Sequence, residues 1–241
     1  MRRRRAPAAA AALVIAALTF LAAGSGRAQD GAASMPSFDV LMRQFEAIAF
    51  RSEFGGAHRR GRLIKWTGPI TVRLSGANAE RYQSEVSAQI NQLARLSGLS
   101  IRLVAESGLL QDANMVIHFV SRPDGFDREA ACTTTVYDRD FTITRVEITI
   151  TAHIPDLRRH CIAEETTQGL GLSNDSALVK TSIFNDWSGQ QSLTPWDALM
   201  VRVLYDPRLR AGMAQAAATP LIGEIMGSLL RRPRVRQARR R

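Results

Sequence analysis

Helix-type and strand-type hydrophobic patterns alternate in the first half of this chain, and the second half ends in helix-type patterns alone. The apolar spacing predicts a helix from Phe38 to about Phe50, a strand over residues 63–74 and a long amphipathic helix from Asn78 to about Leu96. Three or four more strands follow before the last helices begin. This order argues against an all-helical or all-strand protein and predicts an α+β fold with a single core over residues 37–230.

The later strands include a predicted hairpin. Short apolar runs at 101–105 and 115–120 predict two strands, and residues 133–137 and 141–152 predict the two arms of the hairpin. Apolar residues alternate with period two in the later part of the second arm but are out of phase at its start. A β-bulge near Thr144–Arg145 would restore the phase.

Helices and one long polar segment make up the rest of the chain. Asp156 is the predicted cap of a helix over 157–170, and residues 173–193 form an irregular polar loop. Thr194 and Pro195 are a favourable cap and first-turn pair for the next helix. Two short helices are predicted after it, near 208–217 and 220–230.

The formal net charge of +10 comes from the two ends of the chain. Residues 1–28 hold five arginines and residues 231–241 hold seven, with no acidic residue in either segment. The remainder carries 20 basic side chains against 22 acidic ones, which argues against a nucleic-acid partner. We expect the 231–241 tail to be disordered, and either to contact an anionic membrane surface weakly or to act as a solubilising end.

Residues 1–28 have the layout of an export signal. Arginines precede an apolar run over 6–23, and small residues ending at Ala28 fit the positions that signal peptidase recognises. Cleavage between Ala28 and Gln29 would leave a small-residue linker, 29–36, before the domain. The pattern predicts a periplasmic or secreted protein, with a retained membrane anchor as the alternative. It leaves Sec and twin-arginine export both open.

The chain has two cysteines, Cys132 and Cys161, so only one intramolecular pairing exists. An exported protein meets an oxidising compartment, which favours a disulfide over a thiol nucleophile or a metal ligand. The bridge would close a loop of about 30 residues, for which the chain-entropy model gives roughly 3–4 kcal/mol of stabilisation.

Residues 161–175, C-I-A-E-E-T-T-Q-G-L-G-L-S-N-D, carry the most informative pattern in the chain. Their layout resembles the zinc helix of metzincin-like metallopeptidases, H-E-x-x-H-x-x-G-x-x-H, in which three histidines bind the metal and the glutamate is the general base. The resemblance implies a zincin-like mixed sheet with a long helix, a motif helix and a C-terminal helical part. It aligns Glu165 with the base and Gly171 with the glycine. Glu164, Gln168 and Asn174 stand at the three histidine positions.

These replacements change the expected chemistry. One carboxylate and two amides form a weak ligand set for zinc, which prefers imidazole and thiolate. We therefore expect no bound metal and no cofactor. The resemblance instead implies a polar cleft cluster of Glu164, Gln168, Asn174 and Asp175, with Glu165 beside it as the candidate catalytic residue.

Two other side chains bear on this cleft. His160 precedes Glu164 by one helical turn, so the two share a face, although beside two arginines His160 is expected to be an exposed surface residue. Trp187 lies in the polar loop and is a candidate platform for a ligand, whereas Trp66 and Trp196 are expected in the core.

The wording of the motif is closer still to an uncharacterised family. The pattern C-I-x-E-E-x-x-Q-x-L-G-L-x-N-D at 161–175 is followed by P-W-D-A-L at 195–199 and L-Y-D-P-R-L-x-x-G-M at 204–213, and K-W-x-G-P-I precedes it at 65–70. Together these segments resemble domain of unknown function 2927, over about residues 40–215. The resemblance implies an exported protein of Gram-negative bacteria and carries no assigned activity.

Two functions follow from these observations. The first is a non-catalytic, zincin-like exported protein, expected to be a monomer, that binds a peptide or an envelope protein in the cleft around Glu165. The second is a peptidase-like hydrolase that uses Glu165 as general base with an atypical metal site. The missing histidines favour the first.

Overall fold

The computed structural model describes residues 35–51, 61–76, 78–104, 113–120, 131–151 and 153–231. The predicted signal peptide with its Ala28–Gln29 cleavage site, most of the linker, and the arginine tail from residue 232 lie outside the described residues. Within the described ranges, no helix is both long and apolar enough to cross a bilayer.

Within the described residues, five strands form one mixed sheet. They are β1 (Ile70–Gly76), β2 (Ile101–Leu103), β3 (Met115–Phe119), β4 (Cys132–Arg139) and β5 (Thr142–Ile150). Their order across the sheet is β2–β1–β3–β5–β4. The first four in this order run parallel, and β4 pairs antiparallel with β5 at the edge. The hairpin connection explains why the edge strand alone is antiparallel.

The described part of the chain also contains five α-helices. They are α1 (Phe38–Phe50), α2 (Gln83–Ser97), α3 (Pro155–Gln168), α4 (Pro195–Leu204) and α5 (Gln215–Arg231). A short 3₁₀ turn, Ala79–Tyr82, leads into α2. The Ser37 side chain caps α1, because its Oγ accepts a hydrogen bond of 3.3 Å from the amide of Val40. The α+β class is therefore confirmed.

The core lies between the helices and the apolar face of the sheet. Alternate residues of the central strands, among them Val72, Ile117 and Ile148, are fully buried. Helix α3 contacts β4 and β5 and also packs against α2. Gln89 of α2 joins the two helices, since its amide donates 3.1 Å to the carbonyl of Ala163. These contacts place α3 across the edge of the sheet that β4 and β5 form.

The predicted bulge is confirmed. Tyr137 is paired with Arg145, and the next residue, Asp138, is paired with Ile143, so Thr144 is the extra residue on β5. The change of phase in the sequence of the second arm reflects this insertion.

The predicted strand over 63–74 is wrong in its first half. The ladder begins only at Ile70. Before it, the amides of Leu63 and Lys65 donate single hydrogen bonds to the carbonyls of Met213 and Phe141, respectively. These two acceptors lie in different parts of the chain. The segment is extended and buried because other segments surround it, and the apolar pattern alone does not distinguish this from a strand.

Two helix predictions need correction. Helix α3 ends at Gln168, with Ile154 as its cap, so Asp156 lies in the first turn and is not the cap. The short helix predicted near 208–217 is wrong over residues 208–214, which form turns, and a single helix, α5, covers residues 215–231 and contains Pro220. Proline removes one helical hydrogen bond, but burial of an apolar stripe that includes Ile222 and Ile225 compensates for that loss.

Candidate functional site

Helix α3 is joined to the edge strand β4 by two links in a row. The predicted disulfide is present between Cys132 and Cys161. Next to it, the hydroxyl of Thr134 lies 2.5 Å from Glu165 Oε2. The two strand residues are two apart on one face of β4, and the two helix residues are one turn apart on α3. The strand repeat and the helical turn nearly match, at about 6.7 and 5.4 Å, so both links form side by side.

The residues that directly follow α3 are held through their backbone carbonyls. Trp66 Nε1 donates 2.9 Å to the carbonyl of Gly169, and the hydroxyl of Tyr205 donates 2.8 Å to that of Leu170. Gly171 follows with φ +112°, and a Cβ there would lie 2.2 Å from the carbonyl oxygen of Ile64. We call this segment, Gly169–Gly171, the anchored end. Its donors explain why a K-W pair and an L-Y-D-P segment accompany the motif.

Lys65 also supports the anchored end, through the segment that carries Tyr205. Its buried Nζ donates 2.8 Å to the carbonyl of Leu204 and 2.9 Å to that of Leu209, at the end of α4. Burial lowers the pKa of Lys65 to about 8, and the charge of Asp206 opposes that shift. The ammonium caps the turn that carries Tyr205 and thereby positions the Tyr205 hydroxyl.

The long loop over 173–193 is irregular, as predicted, but it is firmly attached. Asp197 of α4 is fully buried and accepts hydrogen bonds from the hydroxyl of Ser182 at 2.6 Å and the amide of Ile183 at 3.3 Å. On the α1 side, Gln44 Oε1 accepts 2.7 Å from the hydroxyl of Ser176. These bonds hold the loop beside α3.

A cavity of about 130 Å³ lies where α3, β4 and this loop meet. Its floor comes from α3 and its walls from β4 and the loop. Its described lining is Ala131, Cys132, Thr133, Thr134, Leu157, His160, Glu164, Glu165, Gln168, Ser173, Asp175, Asp186 and Trp187. Several of the lining groups titrate, and that is unusual for side chains buried this deeply.

His160 and Glu164 form an ion pair in the cavity floor. His160 Nε2 lies 3.0 Å from Glu164 Oε2, and both side chains are about 95% buried. Nδ1 of His160 lies 2.6 Å from the carbonyl oxygen of Gln190 in the loop. Burial opposes a charge on the imidazole, but Glu164, the Gln190 carbonyl and Asp186 outweigh it, so the pKa of His160 is raised. The expectation that His160 is an exposed surface residue is wrong, because the loop covers it.

Glu165 is buried and lies against β4. Burial is the largest cause that raises its pKa well above the ordinary value, and the nearby charge of Glu164 adds to it, while the hydrogen bond with Thr134 opposes it. The geometry agrees with a protonated carboxyl. The Thr134 hydroxyl lies 2.5 Å from Glu165 Oε2 and 3.1 Å from the Glu165 carbonyl oxygen, and its one proton serves only one of them. A neutral carboxyl that donates to Thr134 satisfies both contacts.

The remaining members of the predicted cleft cluster are only partly brought together. Gln168 Nε2 donates 2.6 Å to Asp175 Oδ1, and both residues line the cavity. Asn174 is not in the lining: its amide donates 2.8 Å to the carbonyl of Asp175. The loop therefore presents Asp175 to the cavity at the position where we expected Asn174.

Two contributors, Thr134 and Asp186, were not expected from the sequence to be part of this site. Thr134 gave no signal, since it is one of three consecutive threonines in a strand. Asp186 adjoins Trp187, which was singled out, so proximity in the loop was the only hint. The spacing predicted that His160 and Glu164 share a helical face, but it did not predict that the pair is buried. Trp187 is 70% exposed at the cavity rim, in line with a ligand platform, whereas Trp66 is buried.

The side chains that the sequence resemblance aligns with zinc ligands do not fit zinc. Glu164 is paired with His160, and Gln168 with Asp175, while the Asn174 amide donates to the Asp175 carbonyl and Asn174 does not line the cavity. One oxygen each of Glu164, Asp175 and Asp186 lie within 4.8 Å of one another, an all-carboxylate set that suits harder cations than zinc.

The model of the family described as protein of unknown function (DUF2927) matches residues 39–224, which is most of the chain. Comparison with curated proteins gives no match. The chain belongs to this family, and the matched segment includes every described residue of the cavity.

Proposed function

We propose that this member of the DUF2927 family is an exported, non-catalytic protein that binds a peptide or an envelope protein in the cavity beside α3. The observation that carries the proposal is the cavity itself, in which a buried ion pair and a buried carboxyl lie behind an exposed indole. Burying charged groups destabilises a fold unless they are compensated, so their placement around open space favours a ligand site.

The environment of Glu165 favours binding over base catalysis. A general base must be ionised at the working pH, and burial of Glu165 beside Glu164 opposes ionisation. Its Oε2 is already in contact with the Thr134 hydroxyl. A neutral Glu165 that bridges α3 and β4 is a wall of the binding site.

The scaffold we propose is zincin-like, with its metal positions converted to other uses. The support is the order of the elements, the glycine-ended helix and the layout of residues 161–175. In the converted site, the pairs His160–Glu164 and Gln168–Asp175 satisfy groups that a metal would otherwise organise. Metal analysis of the purified protein, with and without added Zn²⁺, should find no stoichiometric zinc, and stoichiometric zinc would contradict this part of the proposal.

Export follows from residues 1–28. We propose cleavage between Ala28 and Gln29 and a periplasmic or secreted monomer, with the arginine tail in weak contact with anionic lipid. N-terminal sequencing of protein from the periplasm should begin at Gln29 or within a few residues of it. A full-length cytoplasmic product would contradict export.

The binding function is tested by incubating the mature protein with a mixed library of short peptides. Mass spectrometry then separates peptides that are retained intact from peptides that are cut. We expect intact peptides to be retained and no new termini to appear. Trp187→Ala should lower retention, whereas Leu178→Ala, a matched truncation of another exposed apolar side chain, should not. New termini, or equal retention by both variants, would contradict the proposal.

A hydrolase is the second candidate, with one specific observation in its favour. Oxygens of Glu164 and Glu165 lie within 4.8 Å of each other, and the raised pKa of Glu165 suits a proton donor. In this case Glu165 is the general acid, not the base. Glu165→Gln separates the two functions, because it would abolish cleavage by a hydrolase but leave binding by a neutral wall nearly unchanged.

A further inference from the structure

We propose that residues 185–192 are a lid over the cavity, and that His160 latches this lid to α3 only while His160 and Glu164 keep a shared proton. The inference goes beyond the proposed function, because it concerns how the cavity opens and not what it binds. It is carried by the two contacts of the His160 ring, by the attachment of the lid and by the place of lid residues in the cavity lining.

The lid lies between two fixed points of the long loop. Phe184, directly before it, and Leu193, directly after it, are buried, whereas every residue of the lid is exposed or half-buried. The carbonyl of Phe184 accepts 2.7 Å from the amide of Ser176, and Thr194 caps α4. The core therefore holds both ends, while the segment between them buries little surface, as is typical of segments that open locally.

Two side chains of α3 reach the lid. Arg159 Nε donates 2.7 Å to the side-chain oxygen Oε1 of Gln191. His160 Nδ1 lies 2.6 Å from the carbonyl oxygen of Gln190. These contacts join the lid to the helix that forms the cavity floor.

The lid forms one side of the cavity. Asp186 and Trp187 belong both to the lid and to the described lining. The amide of Trp187 donates 3.2 Å to Asn185 Oδ1, so the residues that carry these side chains form one turn. Release of the lid from α3 would therefore move both side chains and widen the cavity.

The His160 ring is the part of the latch that responds to pH. Its Nδ1 faces the Gln190 carbonyl, and its Nε2 lies 3.0 Å from Glu164 Oε2. A carbonyl oxygen only accepts hydrogen bonds, so Nδ1 must carry a hydrogen. The contact at Nε2 needs a second hydrogen, held either by the ring as an imidazolium or by Glu164 as a carboxylic acid. The pair therefore shares one proton beyond the hydrogen on Nδ1.

Loss of the shared proton leaves one hydrogen for two acceptors. The carboxylate of Glu164 is the stronger acceptor, so the hydrogen stays at Nε2. The lone pair of Nδ1 then faces the Gln190 carbonyl oxygen, and the latch becomes repulsive. Deprotonation of His160 therefore releases the lid.

The charged groups around the ring determine the direction of the effect. Burial opposes the imidazolium, but Glu164 on α3, a lid carbonyl and Asp186 on the lid outweigh it and raise the pKa of His160. The same cavity holds Glu165 on α3 and Asp175 on the loop, and β4 contributes no ionisable side chain to the described lining. The lid is therefore closed at pH 6.5 and opens as the pH rises through the raised pKa.

Proteolysis over a pH series tests the inference without a ligand. Chymotrypsin cleavage after Trp187, identified by mass spectrometry, reports release of the lid, and a synthetic peptide of residues 183–194 digested at each pH corrects for the protease. Carbon shifts of the His160 ring, assigned by backbone-to-ring correlation, give its titration midpoint. We expect the corrected cleavage rate to rise at least about tenfold between about pH 6 and about pH 9, with the midpoint of His160.

Matched variants separate the latch from a general effect of pH. His160→Phe should raise cleavage at every pH and remove its pH dependence. Arg159→Ala should raise cleavage by a factor that is the same at every pH, because a guanidinium stays charged over this range. His153→Phe, the same change at an exposed histidine, should leave the wild-type profile unchanged.

The outcomes distinguish the lid from the proposed binding function. A wild-type cleavage rate that is flat over this range, or that changes with a midpoint different from that of His160, would overturn the lid. Retention of library peptides together with a flat profile would leave the binding function standing without the lid. Cleavage that follows His160 in a protein that retains no peptide would support the lid and contradict the binding function.

Discussion

The segment that follows helix α3 and the side of α3 that faces the cavity are held by different kinds of interaction. At the anchored end, neutral donors from Trp66 and Tyr205 satisfy the carbonyls of Gly169 and Leu170. On the face towards the cavity, His160, Glu164 and Glu165 are buried ionisable groups within one and a half turns. We call these three residues the pocket face. The direct bonds at the anchored end join neutral groups, whereas the groups on the pocket face are ionisable.

The difference indicates how stability and function are divided along one helix. Neutral hydrogen bonds to backbone carbonyls contribute about 1 kcal/mol each and are insensitive to salt and pH. Buried ionisable groups contribute little net stability unless they are well compensated. The comparison therefore predicts that changes at the anchored end destabilise the fold, whereas changes on the pocket face alter its pH dependence and its ligand.

The largest effect is expected from Gly171→Ala at the anchored end. Its φ of +112° disfavours any side chain, and the added Cβ would lie 2.2 Å from the Ile64 carbonyl oxygen. Urea unfolding should show a loss of about 4 kcal/mol or more, or no folded protein at all. Gly68→Ala is the matched control, since a Cβ there meets nothing within 4 Å. Equal stability of the two variants would contradict the claim that the anchored end holds α3 in place.

Loss of the disulfide is expected to have the next largest effect. Replacing Cys132 and Cys161 together by serine removes the covalent link between β4 and α3, and should lower the free energy of unfolding by about 2–5 kcal/mol. Differential scanning calorimetry of the double variant, beside the wild type with and without reductant, measures this. An unchanged unfolding temperature would mean that the Thr134–Glu165 contact and the helix packing suffice by themselves.

Tyr205→Phe tests the anchored end without adding bulk. It removes the donor to the Leu170 carbonyl and the acceptor, at 3.2 Å, for the amide of Trp66. Two backbone groups lose their partner, so we expect a loss of about 1–3 kcal/mol that is constant across pH 5–7, below the pKa of about 8 of Lys65. A loss that varies with pH over that range would show that the anchored end and the pocket face are coupled.

Glu165→Gln tests the pocket face and should have the smallest effect on stability at low pH. Because the folded-state pKa of Glu165 is raised, its contribution is fully present below the unfolded value near 4.5 and is lost as pH rises through the folded pKa. The raised pKa of His160 acts in the same direction above 6.5. Wild-type stability should therefore decline as pH rises, and the variant should decline less. Parallel pH profiles would contradict a raised pKa for Glu165.

The sequence predicted those features that depend on local periodicity. The bulge at Thr144 followed from a change of strand phase, and the disulfide from having two cysteines and an expected oxidising compartment. Features set by distant segments were not predictable. The burial of His160 depends on the segment of the Gln190 carbonyl, 30 residues away, and the extended course of Leu63 depends on the hydrogen bond that its amide donates to the Met213 carbonyl.

The candidate site follows the same division. Helical spacing placed Glu164 and Gln168 on one face, and both line the cavity. The choice between Asn174 and Asp175 depends on how the loop leaves Gly171, where a one-residue difference reverses which side chain faces inward. Asp186 and Thr134 come from a loop and a strand whose positions relative to α3 only the fold determines.

The protonation of Glu165 is the central claim, because it separates a binding wall from a catalytic base. Side-chain carboxyl ¹³C shifts of glutamate-labelled protein, recorded over a pH titration and assigned with Glu165→Gln, measure its pKa directly. We predict a titration midpoint well above that of an ordinary glutamate, so that Glu165 is neutral at the pH at which the protein binds its ligand. A midpoint in the ordinary range near 4.5 would contradict the account and restore Glu165 as a candidate base.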